Sequence, residues 1–407
     1  MIAPQPLLVV TDWGTAAVLP CAILIGAIAA AALAYLYALR RPMPLLGVVL
    51  LSAAGMAAAA CAPFLFSSDV YAYAAYGEMA RLGMNPYAHP PAGIADPIVR
   101  AAQAQWITAF PLCVYGPAFV GFARTVMTVL APLGFRAQLD AFRATACVSL
   151  LLCIVLARRC YRGDRASRLQ AAAAIGLNPV AIWSAAEGHN DALALAVVLA
   201  GFAIARRSPP VGAAIVALSA LVKAPGGAAA IAYALRERRA RIGAVVGLAV
   251  AAAGSIPLLK AVAGDLVPRG HYAPAVSLQA VFAPLGAPVA IAAALTIVTA
   301  LAICGLRLLR ARNDEGWIWL GIAGWSIVPN PYPWYSLWLV ALAALSLRSR
   351  AARVAIALSL TSVLRYVPDA VGTLATPISV TLAIVASLPL AALIPQRVVR
   401  EYNERLI

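Results

Sequence analysis

Charge is scarce in this chain of 407 residues: only 11% are Asp, Glu, Lys or Arg, while 63% are hydrophobic. An ordinary soluble domain is about a quarter charged, so the composition excludes one and leaves a polytopic membrane protein. Acid is the scarcer sign, with 15 carboxylates against 31 basic residues, and lysine occurs only as Lys223 and Lys260. The net charge of +16 does not describe a nucleic-acid surface, because the arginines fall in short clusters between apolar runs. The seven cysteines form no CxxC pair and no ligand spacing, which argues against a disulfide framework and leaves packing as their role. The opening MIAPQPLLVVTDWGT has no basic segment ahead of its apolar run, so the expectation is an uncleaved first helix. No internal repeat, low-complexity linker or nucleotide-binding domain is visible.

What the chain does have is long apolar stretches. A bilayer-spanning helix needs about 20 residues, and about thirteen apolar segments can be drawn, several of them short. Short segments are tolerated where a broken backbone is buried or lines a cavity. Most of the basic residues cluster at Arg40/Arg41, Arg158 to Arg168, Arg206/Arg207, Arg236 to Arg241, Arg307 to Arg312, Arg348 to Arg353 and Arg397 to Arg405. One topology puts every cluster in the cytoplasm: N-terminus outside, C-terminus inside. It makes residues 67–141 one long external loop, with residues 111–134 a re-entrant or surface-lying helix, and 264–279 a second external loop. A loop of such length that carries its own helices suggests function. The whole of residues 1–407 is read as a single transmembrane domain.

The external loop opens with SSDVYAYAAYGEMARLGMNPY (Ser67 to Tyr87). Asp69, Tyr73, Tyr76 and Ala80 recur at helical spacing, which predicts one face of a short amphipathic helix. A carboxylate among aromatic rings at a membrane surface suits a sugar held beside a lipid.

This stretch, extended to SSDVYAYAAYGEMARLGMNPYAHPP, resembles the first external loop of GT-C integral-membrane glycosyltransferases. It resembles in particular the bacterial polyprenol-phosphate-mannose-dependent mannosyltransferase branch, which includes mycobacterial α-(1→6)-mannosyltransferases. Further stretches carry the likeness: VYGPAF (Val114 to Phe119), LNPVAIWSAAEGHNDALAL (Leu177 to Leu195), LVKAP (Leu221 to Pro225) and NPYPWYSLW (Asn330 to Trp338). The resemblance implies an all-α, GT-C-like fold and an essential Asp early in the first external loop, taken to be the catalytic base; here that is Asp69. The loop's second acidic position departs from the family pattern, reading Tyr76-Gly77-Glu78.

Each candidate has two readings. A lipid-phosphate sugar carries a good leaving group, so the chemistry that remains is deprotonation of an acceptor hydroxyl, a general-base task for Asp69; otherwise Asp69 caps a helix. In the GHND stretch His189 suits a phosphate or a sugar and Asp191 an imidazole or hydroxyl, with Asn190 beside them; the alternative is a turn capping the next helix. Lys223 interrupts an apolar run and suits a donor phosphate, or snorkels to the interface. Arg365 has the same two readings, and Arg269 and His271 are further phosphate candidates. Tyr71, Tyr73, Glu78, Tyr115 and Tyr335 complete the substrate-binding set, although aromatics around NPYPWY also suit an interfacial belt. His89, His189 and His271 make no metal site by spacing, and no cofactor is indicated; a divalent metal is left open.

The resulting expectation is a hexosyltransferase that moves mannose, by inversion, from a polyprenyl-phosphate lipid to a glycan or glycolipid acceptor. It would lie in a bacterial inner membrane among membrane lipids, with its site on the periplasmic face and no nucleic acid as partner. The rival is a transporter or lipid-carrier flippase, which predicts inverted repeats and ionisable residues at mid-membrane depth; a non-catalytic scaffold is a third reading.

Overall fold

A computed structural model describes residues 15–62, 67–106, 110–161, 163–260, 274–366 and 376–393. It is 78% helical and the described residues contain no strand, so the chain is all-α. In chain order the helices are α1 (Thr15–Ala38), α2 (Leu45–Cys61), α3 (Asp69–Arg81), α4 (Pro97–Gln103), α5 (Pro117–Val129) and α6 (Gly134–Cys160). Then come α7 (Arg165–Gly176), α8 (Pro179–Ala186), α9 (Asp191–Ala205), α10 (Pro209–Leu218), α11 (Pro225–Arg236) and α12 (Arg241–Gly254). The last are α13 (Leu278–Phe282), α14 (Ala287–Arg310), α15 (Glu315–Ile327), α16 (Ser336–Ala343), α17 (Arg350–Thr361) and α18 (Thr376–Ser387).

Local sequence sets the ends of these helices. Proline opens α4, α5, α10 and α11, where its missing N–H would have no helical partner in any case. Asp96 caps α4 by accepting the N–H groups of Ile98 and Val99 at 2.8 and 3.1 Å. Asp164 caps α7 through the Ser167 N–H at 2.7 Å.

These breaks change the membrane reading. Among the described residues two helices are long and apolar enough to cross a bilayer, Ala131–Cys160 and Ala287–Arg310, and a third span arises if α7 and α8, bent by 50° at their break, count as one. Among the described residues the other apolar stretches, Gly26–Ala38 of α1 included, have 10–17 residues, short of the roughly 20 that a span requires. The count of about thirteen segments is therefore not reproduced. Hydropathy sees an apolar run as continuous, whereas prolines and 3-10 turns such as Ser219–Leu221 cut it.

One further expectation, that for α3, is corrected. Helix α6 starts at Gly134, within the stretch read as an external loop that carries its own helices. Helix α3 is buried from Val70 through Met79 and is not amphipathic. The reason is its company, since α4, α5 and α6 all pack on it. Helix α5, with 13 residues and a length of about 20 Å, agrees with a helix that does not span.

The described residues fall into two compact units. The first takes Pro44–Cys160 and Ala181–His271; within it α6 packs on α2 and α9, and α10 on α9, α11 and α12. The second is drawn from Val9–Met43, Tyr161–Val180 and Tyr272–Ile407. Its core gathers Tyr35, Ile318, Ile322, Leu339, Val354 and Leu358. The Tyr35 hydroxyl donates to the Ala174 carbonyl at 2.8 Å, and Asn178 Nδ2 donates to Ser359 Oγ at 3.0 Å.

Candidate functional site

Asp69 is the first residue of α3, and Ser67 turns the chain into it by accepting the Asp69 N–H on Oγ at 3.1 Å. Ser68 stands at the cap position without a side-chain bond. The carboxylate of Asp69 faces other partners: Tyr115 donates its hydroxyl to Oδ2 at 3.3 Å, and His189 Nδ1 lies 3.5 Å from the same oxygen. The Asp69 side chain is 16% exposed and that of His189 only 1%. Burial alone would raise the Asp69 carboxyl. The hydrogen bond and charge of His189, the charge of Lys223 and the Tyr115 hydroxyl outweigh burial and hold it below its ordinary value.

The second half of the cluster comes from the turn between α8 and α9. Gly188 has φ +90°, a conformation that costs a residue with a Cβ, and an added Cβ would stand 3.3 Å from Val70 Cγ2. Glycine there lets the turn lie against α3. His189 follows, then Asn190, then Asp191 as the first residue of α9. Asp191 is fully buried and ion-paired to Lys223, Nζ to Oδ2 at 2.5 Å, while the Lys223 side chain is 16% exposed. Tyr73 ties the turn to α3, for its hydroxyl accepts the Asn190 N–H at 3.4 Å.

Tyr115 and Lys223 are set by adjoining backbone. The Gly116 N–H donates to the Val222 carbonyl at 3.1 Å, and a Cβ at Gly116 would sit 2.1 Å from the Leu221 carbonyl oxygen. No other residue permits that approach. Tyr87 donates its hydroxyl to the Tyr115 carbonyl at 2.9 Å, and the Tyr73 ring meets Tyr115 and Phe119 edge-on at 4.9 and 4.8 Å. Burial and the neighbouring Asp69 and Asp191 charges push the Tyr73 hydroxyl well above its usual range, so it acts as a neutral group.

Arg143 is not among the candidates read from the sequence, yet it braces this site. Buried on α6, it donates from Nε to the Ala186 carbonyl at 2.7 Å and from Nη2 to the Ala60 carbonyl at 2.8 Å. It thus satisfies carbonyls at the ends of α8 and α2. The available signal was an arginine at the entry to the apolar run FRATACVSLLL.

The remaining candidates are elsewhere. Glu78 is buried and both its oxygens engage Arg81 one turn on; it stands nine residues from Asp69, about 13 Å along the helix. Tyr71 is buried with its ring 6.3 Å from Phe135, and burial raises its hydroxyl. Arg365 and Tyr335 belong to the second unit. There Arg365 donates to Asn330 Oδ1 and to the Tyr332 hydroxyl, with its guanidinium 4.7 Å from the Tyr332 ring centre. Tyr332 stacks on Trp334 at 4.5 Å, and Tyr335 meets Tyr332 edge-on at 6.2 Å. Arg269 and His271 lie outside the described residues. Among the described residues, no three His, Cys, Asp or Glu side chains converge as a metal site.

The arrangement therefore offers an ionised, partly accessible carboxylate beside an imidazole, and a cation beside a buried carboxylate. It can accept a proton from a hydroxyl and meet negative charge. Residues 3–239 match the model of a family described as alpha-(1->6)-mannopyranosyltransferase, N-terminal domain, a stretch that contains Asp69, Tyr115, His189, Asp191 and Lys223. No curated protein and no solved structure matches the chain.

Proposed function

The chain belongs to the alpha-(1->6)-mannopyranosyltransferase family, and from that premise we propose that Asp69 is the general base of mannosyl transfer from a polyprenyl-phosphate donor. The acceptor is a hydroxyl of a glycan or glycolipid, and the site faces the extracytoplasmic side. The observation that carries this reading is the Asp69 carboxylate, held on one oxygen by Tyr115 and His189 while remaining partly accessible.

In this reaction the acceptor oxygen bonds to the anomeric carbon as the bond from that carbon to the phosphate oxygen breaks. The acceptor proton passes to Asp69, and the bonding pair leaves with the polyprenyl phosphate. A single displacement inverts the anomeric centre, so an α product requires a β-linked donor. The lowered pKa of Asp69 keeps it ionised at neutral pH but makes it a weak base. That suffices where the sugar develops oxocarbenium character before the acceptor proton has moved far, because position then matters more than basicity. His189 holds the carboxylate in orientation. Lys223, the accessible member of its pair with Asp191, supplies positive charge to the departing phosphate.

The test is transfer of radiolabelled mannose in proteoliposomes from β- and α-linked polyprenyl-phosphate mannose, with a lipid extract as acceptor. Wild type is expected to use the β donor, and a folded Asp69→Asn to lose about 10²–10⁴-fold in kcat with little change in KM. Full turnover by Asp69→Asn removes Asp69 as the base. Absence of product with every donor, accompanied by movement of the carrier across the vesicle, overturns the transferase reading.

A further inference from the structure

Asn190 is an anomaly within the cluster. It occupies the cap position of α9, where an asparagine ordinarily turns its side-chain oxygen back onto a backbone N–H of the first turn. Here it makes no such bond. The residue is 2% exposed, yet neither Oδ1 nor Nδ2 has a hydrogen-bond partner among the described residues. Its own N–H is taken by Tyr73, so the main chain is fixed while the carboxamide is left with its bonding capacity unused. Buried polar groups in native proteins are almost always satisfied, and one that is not calls for an explanation. Its sequence neighbours on both sides are engaged, His189 with Asp69 and Asp191 with Lys223.

We infer that the Asn190 carboxamide reads the donor sugar, donating from Nδ2 to the 2-hydroxyl and accepting from the 3-hydroxyl at Oδ1. The inference rests on the proposed role of Asp69 as the place where the acceptor is deprotonated. A carboxamide is neutral and offers a donor and an acceptor in one plane. That pattern matches two hydroxyls on adjacent ring carbons better than it matches a phosphate, which calls for charge. In the transition state the anomeric carbon is bonding to the oxygen that Asp69 deprotonates, so the hydroxyl on the next carbon is the nearest sugar group to this turn. Hydrogen bonds to that 2-hydroxyl strengthen as oxocarbenium character grows. The 2-hydroxyl is axial in mannose and equatorial in glucose, so a carboxamide fixed by a buried turn separates the two epimers. A polar group left unsatisfied by the wrong substrate is the strong form of discrimination.

The experiment compares wild type with Asn190→Leu, using β-linked polyprenyl-phosphate mannose, its 2-deoxy analogue and the glucose epimer. Unfolding of the ligand-free proteins is measured in parallel. Wild type is expected to lose about 10–100-fold in kcat/KM when the 2-hydroxyl is absent. Asn190→Leu loses a similar factor with the full donor, no longer distinguishes the 2-deoxy analogue, and narrows the mannose-to-glucose ratio. It melts at or above the wild-type temperature, since an unsatisfied buried amide has been exchanged for an apolar group of similar size. A lowered melting temperature, with the 2-deoxy penalty as large in the variant as in wild type, means that Asn190 is structural and overturns the inference. If wild type turns over no donor, the transferase reading fails by itself. The Asn190 inference is then decided by melting shifts with methyl β-mannoside and its 2-deoxy analogue: a shift larger for mannoside in wild type and equalised in Asn190→Leu supports it, and equal shifts in wild type refute it.

Discussion

The ion pair between Lys223 and Asp191 predicts an asymmetry in stability. Its carboxylate is 0% exposed and its ammonium side chain 16% exposed. Lys223→Met therefore strands a negative charge with no route to water, a defect that costs about 3–5 kcal/mol. Asp191→Asn leaves a lysine whose flexible stem lets the ammonium reach solvent, so its cost is about half of that or less. The paired replacement Lys223→Met with Asp191→Leu removes both charges and recovers most of the loss, to within about 1–2 kcal/mol of wild type. Reversible unfolding by SDS in mixed micelles, followed by tryptophan fluorescence, measures all three variants. Equal losses from the two single replacements refute the burial asymmetry, and a harmless Lys223→Met refutes the pair itself. Activity is a separate readout: the double variant should be stable but slow, because the positive charge proposed to meet the departing phosphate is gone.

The pH dependence of turnover tests the environment of Asp69. The carboxyl is depressed, so its active ionised form persists as pH falls below the ordinary value of about 3.9 and is lost only on passing through the lower folded-state value. His189→Gln removes the largest influence that opposes burial, while Lys223, Tyr115, Tyr73 and Asp191 stay in place, so the acid limb of kcat/KM moves to higher pH. An unmoved limb means that His189 does not govern Asp69. Gly188→Ala forces a Cβ into a φ of +90° and towards Val70; it should cost about 1–2 kcal/mol and lower kcat by displacing His189, as unfolding and transfer assays would show.

The start of the candidate site was legible because local chemistry marks it. Asp69 follows two serines at the end of an apolar run, and GHND combines a flexible glycine with residues that suit a helix start. The structure puts α3 and α9 at those residues. Even the Glu78 to Arg81 pair is a spacing readable from the chain, being three residues apart on one helix. Hidden from the sequence were the contacts that join distant segments: Tyr115 to Asp69 across 46 positions and Lys223 to Asp191 across 32. Nothing in composition or periodicity encodes which loop meets which. Arg143 was opaque for a related reason, because its partners are backbone carbonyls, which every residue type supplies.

The number of spans was illegible on different grounds. An apolar helix buried among protein helices and one facing lipid have the same hydropathy, and only length separates them. Helix α9 shows the difficulty, since it is almost wholly apolar yet only 15 residues long, with one side chain after another packed inside its unit. The same shortness is what the site requires. Had the apolar run continued unbroken from Pro179 to Ala205, Glu187, His189, Asn190 and Asp191 would have been spread around one helix, pointing in different directions. The break at Gly188 instead begins a new helix with Asp191 in its first turn and sends His189 to Asp69. A chain broken into shorter helices has more helix ends, and Asp69 and Asp191 each open one of them.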